Sequence, residues 1–150
     1  MLNILKSMYE NVSCCVRSGH DYTEFFESPA GVKQCCLLSP KCFCQFINKV
    51  ADEIRKAGRH GILLSNLSED IFSLLFADDV ALVSHTPVGL QNHLNVLARA
   101  SAKIGLQVNL NKTKVVVFRK GGHIAAHEKW FIHGQRLEAV NSYIYIYPGH

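Results

Sequence analysis

The chain has 150 residues, of which 48% are hydrophobic and 19% are charged, and this composition excludes an intrinsically disordered protein. The length is sufficient for one domain with a hydrophobic core of its own. The 16 Lys and Arg residues outnumber the 12 Asp and Glu residues, and the net charge of +4 mildly favours a polyanionic partner such as nucleic acid.

The N-terminal part of the chain predicts a short helix and two strands. Residues 2–9 place Leu2, Leu5 and Tyr9 at helical spacing, which predicts a helix with one apolar face. Residues 12–16 and 22–26 predict strands, because they combine apolar and aromatic side chains on either side of a turn that contains Gly19.

A longer amphipathic helix is predicted to begin at Ser39-Pro40, with Ser39 as the N-cap and Pro40 in the first turn. Gly58 marks its end. Its apolar face follows helical spacing and consists of Phe43, Phe46, Ile47, Val50 and Ile54.

Two apolar runs, residues 71–75 and 80–83, surround the tetrapeptide Phe76-Ala77-Asp78-Asp79. This pattern predicts a β-hairpin within residues 71–84 whose tight turn carries two carboxylates. Two acids in an apolar hairpin are costly unless their charge is compensated, and hard oxygen ligands suit Mg²⁺ or Mn²⁺. Asp78 and Asp79 are therefore candidate metal ligands, although a solvated Asp-Asp turn is the simpler alternative.

A second amphipathic helix is predicted after Thr86-Pro87, and Gly105 stands at its C-terminal cap. Residues 106–109, 115–118 and 130–140 predict further strands, with a turn at His133-Gly134. The whole pattern predicts an α+β fold in which the hairpin packs on two helices.

The six cysteines form the close pairs Cys14-Cys15, Cys35-Cys36 and Cys42-x-Cys44, none of which has the Cys-x-x-Cys spacing of zinc or redox sites. No segment predicts a secretory signal or a membrane span. We therefore expect no membrane contact and an intracellular setting, nuclear or cytoplasmic, in which the thiols are free and buried.

Four segments, in order, resemble the palm domain of reverse transcriptases, most closely those of non-LTR, LINE-like retrotransposons. Residues 31–40, GVKQCCLLSP, are similar to the family's Gly-Val-Arg-Gln-Gly-Cys-x-x-Ser-Pro segment. Residues 76–79, FADD, resemble its catalytic hairpin, and residues 105–114, GLQVNLNKTK, resemble its Gly-Leu-x-x-Asn-x-x-Lys-Thr segment. Residues 141–145, NSYIY, resemble the start of its primer grip.

The resemblance implies an RNA-directed DNA polymerase that acts on an RNA template, a DNA primer and dNTPs by two-metal nucleotidyl transfer, with Mg²⁺ or Mn²⁺ as the cofactor. Asp78 would be a direct metal ligand, and Asp79 would be an auxiliary ligand or an electrostatic support. Gln34 would lie along the nucleotide and template, and Lys112 or Lys114 would stabilise the departing pyrophosphate. Tyr143 and Tyr145 would help to hold the primer terminus, with aromatic packing in a core as the alternative.

The resemblance also leaves gaps. No segment before Gly31 is similar to the family's Ala-Phe-Asp strand, which carries a further catalytic Asp, and fingers and thumb regions are not recognised. We therefore expect residues 1–150 to be a partial reverse transcriptase domain, antiparallel in its sheet, without the first catalytic strand and inactive alone. The missing strand would leave an exposed hairpin edge that favours association. Cys35 also stands where the family has Gly.

Two alternatives to a polymerase fragment remain at this level. A non-catalytic nucleic-acid-binding remnant would use the basic run Lys112, Lys114, Arg119 and Lys120, which is equally compatible with a solvated face. A metal-dependent nuclease would need further acids or histidines near Asp78 and Asp79, and no motif for them is present.

Overall fold

The computed structural model describes residues 2–28, 31–33, 35–58, 61–63, 70–121, 124–125 and 127–143. The chain folds as two units, Met1–Cys44 and Gln45–His150. No helix in these ranges is long and apolar enough to cross a membrane.

The first unit starts with helix α1 (Leu2–Tyr9), followed by the two-residue strands β1 (Ser13–Cys14), β2 (Arg17–Ser18), β3 (Asp21–Tyr22) and β4 (Phe26–Glu27). Strands β2 and β3 form a hairpin that lies inside the antiparallel pair of β1 and β4. Gly19 takes a φ of +66° in the connecting turn, a conformation that glycine adopts at low cost. The predicted helix is confirmed. Within the predicted strand 12–16 only β1 forms, and the prediction of one strand at 22–26 is wrong, because Tyr22 ends β3, Phe26 begins β4 and residues 23–25 are irregular.

Helix α2 (Ser39–Ala57) begins in the first unit and continues into the second. Ser39 is its first helical residue, so the helix begins one residue earlier than predicted, and Gly58 follows its end as expected. On its predicted apolar face Ile47, Val50 and Ile54 are buried, whereas Phe46 is 39% exposed.

Two glycines after α2 let the chain pass close to Phe72. A Cβ atom at Gly58 would lie 2.5 Å from the Phe72 ring, and one at Gly61 would lie 2.6 Å from it. Both distances are shorter than van der Waals contact, so any larger residue would displace the ring. The ring also meets the buried imidazole of His93 edge-on, with centroids 5.9 Å apart.

Helix α3 (Pro87–Lys103) has the predicted N-cap at Thr86, and its C-cap residue is Ile104, one position before the predicted Gly105. Thr86 Oγ1 accepts a hydrogen bond of 3.0 Å from the backbone N–H of Gly89. After the helix, the N–H of Leu106 donates to the Ser101 carbonyl (2.9 Å) and that of Gly105 to the Ala102 carbonyl (3.1 Å). This is a Schellman motif, and Gly105 supplies the positive φ of +74° that it requires.

The strands of the second unit are β5 (Ile62–Leu63), β6 (Asp70–Ile71), β7 (Ser73–Phe76), β8 (Asp79–Leu82), β9 (Lys114–Val116), β10 (Phe131–Ile132), β11 (Gln135–Arg136) and β12 (Glu138–Val140). Among the described residues they pair two by two: β5 with β6, β7 with β8, and β10 with β11 are antiparallel, and β9 with β12 is parallel. The α+β class is confirmed, but the expectation of an antiparallel sheet is wrong for β9 and β12.

The strand predicted at residues 106–109 is also wrong. Leu106 completes the cap of α3, and Asn109 starts a hydrogen-bonded turn in which its carbonyl accepts from the Thr113 N–H (3.0 Å). Both ends of this segment are therefore occupied by local hydrogen bonds, and strand pairing begins only at Lys114.

One hydrophobic cluster joins α3 to the strands that follow it. Its buried members are Leu94, Ala98, Val115, Trp130, Ile132 and Leu137. Leu82 of β8 packs against this cluster, so the β7–β8 hairpin rests on α3. The predicted packing of the hairpin on a helix is thus confirmed for α3.

The cysteines only partly follow the prediction. All six thiols are free, as expected, but Cys35 and Cys44 are exposed and the other four are only half-buried. The expectation of buried thiols is wrong because these residues lie in or directly after the short strand β1, in the loop before α2 and in the first turns of α2. None of these places is shielded by the packed interior.

Candidate metal centre at the tip of a hairpin

The β7–β8 hairpin has a two-residue turn. Phe76 pairs with Asp79, so Ala77 and Asp78 form the turn and Asp79 is the first residue of β8. Ala77 has a φ of +52°. A positive φ at the first of two central residues is the pattern of a type II′ hairpin turn. The prediction that both carboxylates lie in the turn is therefore corrected: only Asp78 does.

The left-handed conformation of Ala77 costs on the order of 1–2 kcal/mol, because its Cβ crowds the backbone. The hairpin ladder offsets this strain. It extends beyond the paired strands to a hydrogen bond of 3.0 Å from the Val83 N–H to the Phe72 carbonyl. The hairpin thus holds the tip in a defined conformation.

The two faces of the hairpin differ in exposure. Residues Ser73, Leu75, Val80 and Leu82 are half-buried and share the inner face, because paired residues point to the same side. Asp79 lies on the outer face with Leu74 and Phe76, each 58% exposed. The hairpin therefore presents an acid and two apolar side chains to its surroundings.

Asp78 and Asp79 are both exposed to solvent. Water therefore removes the desolvation cost that gave one reason to predict a cation. What remains is the donor set: two adjacent residues carry hard carboxylate oxygens at one tip. In the described parts of the chain, no group of three or more His, Cys, Asp and Glu side chains is placed to hold a metal ion.

Lys112 is positioned by a compact turn. The side-chain oxygen of Asn109 accepts a hydrogen bond from the Lys112 N–H (3.2 Å), and the backbone carbonyl of Asn109 accepts one from the Thr113 hydroxyl (2.8 Å). These bonds explain the Asn-x-x-Lys-Thr spacing, because Asn and Thr close the turn while the lysine side chain points outward and is exposed.

Two members of the basic run are paired with acids. Lys114 Nζ lies 2.5 Å from Glu138 Oε2, across the parallel β9–β12 pair. Arg119 is ion-paired with Glu128, whose carboxylate also accepts from the Ala125 N–H. The Arg119 hydrogen bond, with that of Ala125, holds the pKa of Glu128 below its usual value. Sequence reasoning missed both acids, since 9 and 24 residues separate the partners.

Two predicted nucleotide or primer contacts cannot be placed: Gln34 and Tyr145 lie outside the described residues. Tyr143, the neighbouring primer-grip candidate, is 55% exposed. In the loop before α2, Cys35 has a φ of +61°. A glycine would adopt that conformation without strain, which gives a physical reason for the family's Gly at this position.

Cys36 is a feature that sequence reasoning did not single out. Its thiol lies at the start of α2, within 4.0 Å of the Tyr9 hydroxyl, which in turn lies 3.3 Å from that of Ser39. Hydrogen bonds from the backbone of Leu38 and from the side chain and backbone of Ser39 lower the pKa of the Cys36 thiol. The available signal was a cysteine three residues before a Ser-Pro helix start.

We expect Tyr9→Phe and Ser39→Ala to move the alkylation of Cys36 by iodoacetamide to higher pH, because each variant removes a hydrogen bond that lowers the pKa of this thiol. The thiolate is the reacting form, so the midpoint of the rate–pH profile follows the pKa. Mass spectrometry of the modified Cys36 peptide gives the profile of each variant. A Cys36 midpoint that is the same in both variants as in the wild type would contradict the expectation.

Comparison with known proteins gives one family. A family model described as reverse transcriptase (RNA-dependent DNA polymerase) matches residues 2–140. No curated protein and no solved structure gives a significant match. The matched range includes the hairpin tip, the Asn109 turn and the loop before α2.

Proposed function

The chain belongs to the reverse transcriptase family, and from that premise we propose that it is part of the palm of an RNA-directed DNA polymerase of a non-LTR, LINE-like retrotransposon. The observation that carries this proposal is the two-residue turn that presents Asp78 at the hairpin tip, next to Asp79. The order of the four motif segments supports the LINE-like lineage.

The carboxylate donors fit a hard divalent cation, Mg²⁺ or Mn²⁺, and Asp78 and Asp79 would hold it. When bound, such a cation neutralises charge on phosphate oxygens and favours attack of a primer hydroxyl on a dNTP. Asp78 supplies negative charge at the exposed tip, and Asp79 supplies it on the outer face. Lys112, fixed by the Asn109 turn, would bind phosphate oxygens of the dNTP or of pyrophosphate.

The other proposed contacts have weaker support. Lys114 is available to a phosphate only if it leaves Glu138, so Lys112 is the better candidate of the two. Gln34 is proposed to lie along the RNA template and nucleotide on the family resemblance alone. Six free thiols support an intracellular site of action, in the nucleus or the cytoplasm.

Two carboxylates supply only part of the ligand set of a two-metal site. We propose that a further Asp is supplied by a segment upstream of these 150 residues or by another chain, and that this chain alone does not extend primers. The exposed outer face, with Leu74 and Phe76, would favour association with such a partner or with itself.

Primer extension tests this proposal. With an RNA template, an annealed DNA primer, dNTPs and Mg²⁺, the purified chain should give no extension above background. Extension that Asp78→Ala abolishes would show that the site is complete within this chain, and would overturn the inactivity. Extension that survives Asp78→Ala would overturn the assignment of the tip.

Nucleic-acid binding without catalysis is the second candidate, and the exposed side chains of Lys112 and Lys120 favour it. Because Lys114 and Arg119 are paired, Lys112 and Lys120 are the two cations of the basic run that form no ion pair with any described residue. We therefore expect the slope of log K against log salt to correspond to about two phosphate contacts and not to four. Each contact contributes about 0.9 to this slope on duplex DNA. Salt-independent binding would remove this candidate.

A further inference from the structure

A groove of about 540 Å³ lies beside α3 in the second unit, and none of its lining residues belongs to the β7–β8 hairpin. Four polar side chains line it: Asn92, Asn95 and Arg99 of α3, and His133 of the β10–β11 turn. Small apolar side chains, among them Ala57 at the end of α2, complete the lining. The groove thus combines an apolar floor with hydrogen-bond donors.

The β10–β11 hairpin is fixed to α3 by side-chain hydrogen bonds. Gln91 Nε2 donates to the Phe131 carbonyl and Gln91 Oε1 accepts from the Phe131 N–H, both at 2.8 Å. Trp130 Nε1 donates to the Pro87 carbonyl at 3.1 Å. His133 and Gly134 both have positive φ, +49° and +76°, as in a type I′ turn. The turn that carries His133 is therefore held against the helix.

The same network orients Asn95. Its Oδ1 accepts a hydrogen bond of 2.9 Å from Gln91 Nε2. With that acceptor already used, its Nδ2 amide is the group that can donate to a ligand in the groove. A neutral donor held beside a cation is a common way to bind a phosphate oxygen.

The charge that α3 contributes to this surface is positive, and Glu53 of α2 lies close enough to Lys103 for these two charges to interact. Helix α3 has no Asp or Glu in its 17 residues, and its charged residues are Arg99 and Lys103. None of the ion pairs among the described residues involves Arg99, which is exposed. A guanidinium presents several N–H groups in one plane and matches the two free oxygens of a phosphodiester.

We infer that this groove binds the phosphodiester backbone of a nucleic-acid strand, with Arg99 as the principal contact and Asn92, Asn95 and His133 as additional donors. Several donors around one cation fit tetrahedral phosphate oxygens better than a single peptide carboxylate. The inference shares with the proposed function only the premise that the ligand is nucleic acid, because no groove residue lies on the β7–β8 hairpin.

Fluorescence anisotropy with labelled single-stranded RNA and DNA of one sequence tests the inference, in EDTA so that no metal contributes. Arg99→Ala should weaken binding by about fivefold or more and lower the slope of log K against log salt by about one. Arg136→Ala, an exposed arginine of β11 outside the lining, should change neither quantity. A contact to the phosphodiester backbone predicts that Arg99→Ala weakens the binding of RNA and of DNA equally. If the variant weakened the binding of only one of them, Arg99 would contact sugar or base, and the inference would be contradicted.

The EDTA condition separates this inference from the proposed function, since no metal-dependent contact at the hairpin tip can form there, whereas the Arg99 contact needs no metal. A wild-type measurement avoids any folding defect of Arg99→Ala: added strand should shift the side-chain amide NMR signals of Asn92 and Asn95. Unchanged amide signals under saturating strand, or no binding at all, would overturn the inference. The inference would also be overturned if poly-glutamate bound more tightly than RNA and this binding depended on Arg99.

Discussion

Replacing Trp130 by alanine is expected to destabilise the second unit by about 3–5 kcal/mol. The side chain is only 3% exposed, belongs to the cluster that joins α3 to the later strands, and bonds to the Pro87 carbonyl. A loss of this size is a large part of the whole stability of a small domain, which is about 5–15 kcal/mol. Urea unfolding followed by far-ultraviolet circular dichroism measures the loss of stability. Tryptophan fluorescence cannot be used, because Trp130 is the chain's single tryptophan and the variant lacks it.

Two variants separate the causes of the Trp130 effect. Trp130→Phe keeps an aromatic ring but loses the hydrogen bond to Pro87, and should cost less than the alanine variant. Phe131→Ala alters the next residue, which is 39% exposed, and should have a much smaller effect. If the two alanine variants were equally stable, the cluster would not be the core of this unit.

Replacing Asp78 by asparagine is expected to weaken Mn²⁺ binding in the presence of a dNTP by on the order of 100-fold. Loss of a residue that merely orients a metal ligand typically costs about 10–100-fold, so loss of a direct carboxylate ligand should cost at least as much. The substitution removes one charge at constant shape, at an exposed position where folding stability should change by less than about 0.5 kcal/mol. Electron paramagnetic resonance of free Mn²⁺ gives the affinity.

The control for Asp78→Asn is Asp70→Asn, an exposed acid on β6 outside the hairpin tip. It should leave the Mn²⁺ affinity within about twofold, because a distant surface charge is screened by salt. Asp79→Asn should give a loss between those of the other two variants. Equal losses for Asp70 and Asp78 would mean that the cation responds to overall charge and not to the tip.

The parts of the fold that were predictable are those encoded by neighbouring residues. The bounds of α3 follow from Thr86-Pro87 and Gly105, because both caps use hydrogen bonds within a few residues. The hairpin was predictable for the same reason, since two short apolar runs flank a polar break. Its turn was misplaced by one residue, because Asp is a common turn former whereas Ala at positive φ is not.

The parts that were not predictable depend on residues distant along the chain. The parallel pairing of β9 with β12 joins residues 24 positions apart, and alternation of side chains does not specify strand direction. The same distance hid the pairing of Lys114 with Glu138, which changes the interpretation of the basic run. The anchoring of β10 to α3 by Gln91 likewise spans 40 positions and has no local signal.

Broadening of backbone amide NMR signals by Mn²⁺, in an isotope-labelled chain with a dNTP present, tests the metal centre most directly. The proposed site predicts that amides at the tip, from Phe76 to Val80, broaden first as Mn²⁺ is added, and that Asp78→Asn removes this effect. Broadening that begins near Glu128 or His133 while the tip signals stay sharp would contradict a metal centre at Asp78 and Asp79.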